Sequence, residues 1–153
     1  MGRIEERLAQ LSLSLPEPLQ PVGNYMPVCL HGGLAYVAGH APMDGSNVLM
    51  EGVIGAELTL EEGYEAARLT ALSIFASLNA ELKTLDRVTR WIRAVGYIQC
   101  VPGFRQNADV LNGFSDLVVE LWGDVGRHAR SAPGQGPAPL NVPVIIDAVV
   151  AVS

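Results

Sequence analysis

Residues Gly126–Ser153 read GRHARSAPGQGPAPLNVPVIIDAVVAVS. From Val144 to Val152 the stretch is apolar and rich in β-branched residues, the pattern of a closing strand in a sheet. Before that strand stand Arg130 and a Gly/Pro loop. A guanidinium offers parallel N–H donors in a fixed fork, which matches a planar carboxylate. Beside a sheet edge and a rigid loop, Arg130 reads as an anion anchor, although charge chemistry alone does not separate it from a solvated arginine.

Outward from this stretch, Gln106 to Trp122 carries Val110, Leu111, Phe114, Leu117, Val118 and Leu121 at helical spacing, and Gly123 and Gly126 punctuate its exit. Val88 to Val101 reads as a long strand that Pro102-Gly103 ends. The clearest helix starts at Thr59. Glu62 stands three residues on, a capping box in which each side chain accepts from the other's free backbone N–H. Leu60, Tyr64, Ala67, Ala71, Ile74, Phe75, Leu78 and Leu82 then form one stripe, and small residues such as Ala66 and Ala76 allow close approach to a sheet.

Upstream, Met26 to Leu30 and Leu34 to Ala38 flank His31-Gly32-Gly33 as a β-hairpin. Gly39 to Gly52 reads as loop. Gly23-Asn24-Tyr25 is a turn that delivers an aromatic hydroxyl. Ile4, Leu8 and Leu11 fit a short amphipathic helix, which Pro16, Pro18 and Pro21 end. The order of elements predicts one α+β layer with a mixed sheet and two helices on one face. Residues 1–20 form an N-terminal helical extension and residues 21–153 a single domain.

A chain of 153 residues suits one core. Charged residues make up only 17% against 49% hydrophobic ones, which points to apolar surface covered by another subunit. A net charge of −6 and no lysine/arginine cluster argue against a nucleic-acid partner. No apolar run reaches the roughly 18 residues of a membrane helix, and Met1 to Leu15 lacks the uninterrupted apolar stretch of a signal peptide. These features predict a cytoplasmic protein with no membrane partner.

The side chains that carry chemistry form no familiar cluster. His31, His40 and His128 share no ligand spacing, so no metal site is expected. Cys29 and Cys100 make no C-x-x-C pair and read as small core hydrophobes. Gly134-x-Gly136 lies among prolines with no helix after it, which is turn chemistry rather than a phosphate cradle. Trp91 and Trp122 read as packing residues.

Several residues together resemble the Rid family, the reactive intermediate deaminases, also known as YjgF-like or L-PSP endoribonuclease-like proteins. These are Gly23-Asn24-Tyr25, Ala38-Gly39-His40-Ala41-Pro42, Asn112, Arg130-Ser131, Pro139-Leu140-Asn141-Val142 and Asp147-Ala148. The resemblance runs from Pro21 to Val152. It implies a chorismate-mutase-like α+β fold, a homotrimer with clefts between subunits, and hydrolysis of 2-imino acids to 2-keto acids and ammonia without a cofactor. It further implies that Arg130 holds a small carboxylate or imino-acid ligand, that Tyr25 of a neighbouring chain closes the cleft, and that Asn112 supports by hydrogen bonding. Backbone groups near Gly39 or Ser131 would polarise the imine.

One departure bears on the chemistry. Active members carry a glutamate that positions the attacking water where this chain has Ile145. Asp147 shares that strand face but lies about 6.6 Å further on at ~3.3 Å per residue. Ala132 replaces the family cysteine, and Pro133 and Pro137 stiffen a segment that is usually plain strand. The resemblance therefore implies imine hydrolysis that is weakened or altered. The rival expectation is a non-catalytic trimeric binder of small carboxylates or keto acids. An RNA-cleaving role, suggested only by the older family label, fits the acidic balance poorly.

Overall fold

The chain begins with helix α1 (Arg3–Gln10) and a hairpin of β1 (Val28–His31) and β2 (Leu34–His40). A two-stranded ribbon of β3 (Met43–Asp44) and β4 (Asn47–Val48) follows, then helix α2 (Leu60–Leu82) and strand β5 (Val88–Gln99). Helix α3 (Asn107–Trp122) leads to the short strands β6 (Ala129–Ser131) and β7 (Gly134–Gln135), and β8 (Val144–Val152) closes the fold. This is a computed structural model that describes all of residues 1–153.

The main sheet has the order β1-β2-β8-β5-β6, with β7 also paired to β5. Strand β8 is central and runs antiparallel to both β2 and β5, whereas β6 and β7 run parallel to β5. The sheet is therefore mixed and the class is α+β, as the order of elements predicts. Along β8, Val144, Ile146, Ala148 and Val150 are buried, while Ile145, Asp147, Val149 and Ala151 between them are half-buried. The first set faces the helices and the second the uncovered side of the sheet.

Helices α2 and α3 cover one face because each carries an apolar stripe too wide to leave in water. The capping box at Thr59 is present: Glu62 N–H donates to Thr59 Oγ1 and Thr59 N–H to Glu62 Oε1, each at 3.1 Å. Gly113 lets the two helices touch, since a Cβ there would collide with the Tyr64 carbonyl. Trp91 on β5 is fully buried and meets Phe75, Phe114 and Trp122 edge-on or nearly so, with ring centroids 5.2–5.8 Å apart.

Four local features differ from the sequence reading. Helix α1 is a third packed helix: Ile4 and Leu8 are buried in the main core. Asp86 accepts from the Arg3 and Ile4 N–H groups at 2.7 and 2.9 Å, and Glu5 accepts from Leu85 N–H at 2.7 Å. The stretch from Gly39 to Gly52, expected as loop, contains the end of β2 and the β3–β4 ribbon, whose two-residue strands are too short to show a period. The segment around Arg130 is strand β6, not a lead-in to a loop. Finally, Cys29 is exposed, because it alternates with the buried Val28 and projects from the uncovered face.

Candidate functional site

Strand β2 loses register with β8 between Val37 and His40: Val37 pairs with Ala148 and His40 with Ile146, so Ala38 and Gly39 share the place opposite Asp147. This bulge turns Gly39 toward Ile145, whose Cγ2 would lie 3.0 Å from a Cβ at that position. His40 holds the bulge from behind. It is 1% exposed, with Nδ1 2.6 Å from the Ala38 carbonyl and Nε2 2.8 Å from Ser77 Oγ on α2. A carbonyl only accepts, so Nδ1 carries the hydrogen and Nε2 accepts from Ser77. Burial lowers the His40 pKa and keeps the ring neutral.

Beside this bulge lies a cavity of about 380 Å³ that brings together Tyr25, Gly39 and Ile145. Leu19, Met43 and Leu140 extend its apolar wall, and Gln20 and Ser46 add polar groups. No arginine, lysine or carboxylate lines it. The arrangement suits a small molecule with a mostly apolar body and few polar ends.

Arg130 is elsewhere. It pairs with Ala94, a fully buried residue facing the helices, so its side chain goes to the helix side of the edge strand. There Nη1 donates to Ser115 Oγ at 2.9 Å and Nη2 to the Ala108 carbonyl at 3.3 Å, both on α3. Ser115 Oγ also lies 3.0 Å from His128 Nε2, and His128 Nδ1 lies 2.7 Å from the Gly126 carbonyl. Burial lowers the His128 pKa and the Arg130 charge lowers it further, against the Gly126 bond.

Ser131 projects the other way and accepts from Arg93 Nη2 at 3.0 Å on the uncovered face. Asp147 belongs to that face too: burial raises its pKa and the Arg93 charge draws it down. Asn112 lines a groove between α2 and α3 with Tyr64, Asp109 and Asp116, where the Tyr64 hydroxyl donates to Asp116 at 2.8 Å. Thus Tyr25, Gly39 and Ile145 form one site, while Arg130, Ser131 and Asn112 each sit in a different environment. Ser115, His128, Arg93 and Ser77 are participants the sequence reading missed. Of these only His128 was singled out in the sequence, and there only as a histidine without metal-ligand spacing.

No three His, Cys, Asp or Glu side chains gather in a metal-holding group. No helix is long and apolar enough to cross a membrane.

Residues 5–150 match the family described as YjgF/chorismate mutase-like, putative endoribonuclease. The chain belongs to the YjgF family. Protein TCP17 of Trypanosoma cruzi is 37% identical over 150 residues, spanning 97% of this chain and 94% of the relative. The crystal structure of Atu1372 from Agrobacterium tumefaciens shares 36% identity at a TM-score of 0.89, covering 98% of this chain and 92% of the other. A putative endoribonuclease from Shewanella oneidensis MR-1 shares 30% identity at a TM-score of 0.94, covering 99% of this chain and all of the other (100%). The YjgF-like, chorismate-mutase-like α+β fold is that of these relatives.

Proposed function

We infer that this YjgF-family protein is a cytoplasmic homotrimer that binds small 2-keto or imino acids, with imine hydrolysis weak or lost. The ligand's apolar body occupies the cavity at Tyr25, Gly39 and Ile145 of one subunit. Its carboxylate reaches Arg130 at the sheet edge of the next. The observation that carries this reading is the cavity itself: its wall bears an isoleucine where water activation needs a carboxylate. Imines are electrophilic, so orienting one water supplies most of the acceleration, and a methyl group cannot orient it. Arg130 does not line the cavity at Tyr25, so a ligand that uses both residues would need the guanidinium of another subunit.

Cleavage of RNA is the weaker reading. A net charge of −6 leaves little to hold a phosphate backbone.

Light scattering and a thermal-shift titration with 2-ketobutyrate test the proposal. A trimer stabilised by the keto acid, losing that response in Arg130→Ala, is expected, together with slow or no clearance of 2-iminobutanoate. A monomer in solution, or an Arg130→Ala variant that responds like the parent, overturns the shared-cleft reading.

A further inference from the structure

Arg130 and His128 meet at one oxygen. Ser115 Oγ accepts from Arg130 Nη1 at 2.9 Å and lies 3.0 Å from His128 Nε2. The Gly126 carbonyl, 2.7 Å from Nδ1, fixes the hydrogen on that nitrogen. The serine hydrogen therefore points to Nε2, and the bonds run in one direction: Arg130 to Ser115, Ser115 to His128, His128 to Gly126. Nε2 is the one atom of the relay able to take up a proton.

We propose that His128 is a proton-coupled partner of Arg130, so that an acidic ligand on Arg130 draws a proton onto His128 Nε2 and carboxylates bind more tightly as pH falls. This rests on Arg130 taking the ligand's carboxylate, as inferred above. In the empty site burial disfavours a charge on His128, and the positive charge of Arg130 beside it opposes protonation further. A bound anion offsets the guanidinium field and adds its own attraction for a charged imidazole, which lessens the obstacle. Linkage then requires the converse: a protonated His128 raises affinity for the anion by the same factor.

The hydrogen bonds survive the change. Protonated His128 keeps its bond to Gly126 and donates from Nε2 to Ser115 Oγ. A hydroxyl oxygen has two lone pairs, so it accepts from both cations and turns its own hydrogen outward. The anion gains a donor as well as a charge.

The surrounding groups leave His128 free to act this way. Phe114 packs edge-on against its ring at 5.5 Å between centroids. Asp124 and Arg127 pair with each other at 3.5 Å on the surface, and Arg90 Nη2 donates to the Arg127 carbonyl at 3.3 Å. Asp116, next to Ser115 in sequence, takes the Tyr64 hydroxyl. None of these carboxylates bonds the imidazole.

Calorimetric titration with 2-ketobutyrate between about pH 8 and pH 6, in two buffers of different ionisation heat, tests the proposal. For the unaltered protein, proton uptake and affinity several-fold higher at the lower pH are expected, within the limit of about tenfold per unit that one proton allows. His128→Asn should bind with the weaker affinity at every pH. A flat profile in the parent, or an unchanged slope in His128→Asn, overturns the proposal. Binding unaffected by Arg130→Ala sinks the site reading instead. The NMR titration of His128 judges the coupling without any ligand: its midpoint should rise in Arg130→Gln, and an unmoved midpoint refutes the pairing.

Discussion

Arg130 and Ile145 point to opposite faces of one sheet. Arg130 pairs with Ala94 on the helix side, whereas Ile145 pairs with Tyr97 and faces the uncovered side. One subunit therefore presents the guanidinium and the residue at 145 to different sides of its sheet. The proposed cleft takes them from two chains.

Ile145→Glu restores a carboxylate to the cavity wall at the one place where it faces a prospective ligand. The variant should clear 2-iminobutanoate at least roughly tenfold faster than the parent, a modest part of what a positioned base contributes. The assay couples an enamine-generating dehydratase to disappearance of the imine. No gain would mean that the missing carboxylate is not what limits hydrolysis.

Gly113→Ala should be severely destabilising, by about 3 kcal/mol, because a Cβ would be driven into the Tyr64 carbonyl and push α2 and α3 apart. Gly136→Ala makes the control. Nothing lies within 4 Å of its added Cβ, and a change within about 0.5 kcal/mol is expected at such a surface site. Urea midpoints measure both. Equal midpoints for the two variants would refute the close helix approach.

Stability should decline as pH falls below the ordinary imidazole value of 6.5. Burial holds His40 below that value when folded, so between the two values the unfolded chain binds more protons and stability rises with pH. The contribution is present above about 6.5 and is lost as pH falls through the folded value. His128 acts in the same direction. His40→Asn should flatten part of the acid slope in chemical denaturation. A slope identical to the parent's would show that His40 is not titrating against the fold.

Asp86 governs a second, more acidic window. Burial raises its pKa, but the Ile4 and Arg3 N–H groups and the positive charges of Arg3 and the N-terminus together outweigh that and leave it lowered. Its stabilising part is present above the unfolded value of about 4 and disappears as pH drops through the folded one. In Asp86→Asn, helix α1 should be cut by protease at neutral pH faster than in the parent. Equal cutting rates would mean that Ile4 and Leu8 alone keep α1 in place.

Long elements were legible in the sequence because each carries many repeats of its own period. The stripe from Leu60 to Leu82 and the capping box at Thr59 announced α2, and the apolar run from Val144 announced β8. Strand β6 was not legible, since Ala129, Arg130 and Ser131 are three residues long and acquire strand geometry only by pairing with Arg93, Ala94 and Val95. For the same reason the side to which Arg130 points was hidden: it depends on pairing parity with a strand more than thirty residues earlier. Family resemblance located Tyr25, Gly39 and Ile145, which do share a cavity. Asn112 matches a motif in sequence but lines the α2–α3 groove with Tyr64, because helix rotation and not order along the chain decides its neighbours. Ser115 carried no mark at all; its importance arises from touching two residues that follow it on another element.

The place of β8 between β2 and β5 has a consequence for synthesis. The strand that joins the two halves of the sheet is translated after both of them. Until it leaves the ribosome, β2 and β5 each expose an unpaired backbone edge and an apolar face. A nascent chain halted before Val144 would therefore be a prime target for chaperones and proteases, and synthesis of β8, not nucleation of α2, would set when the native sheet first exists.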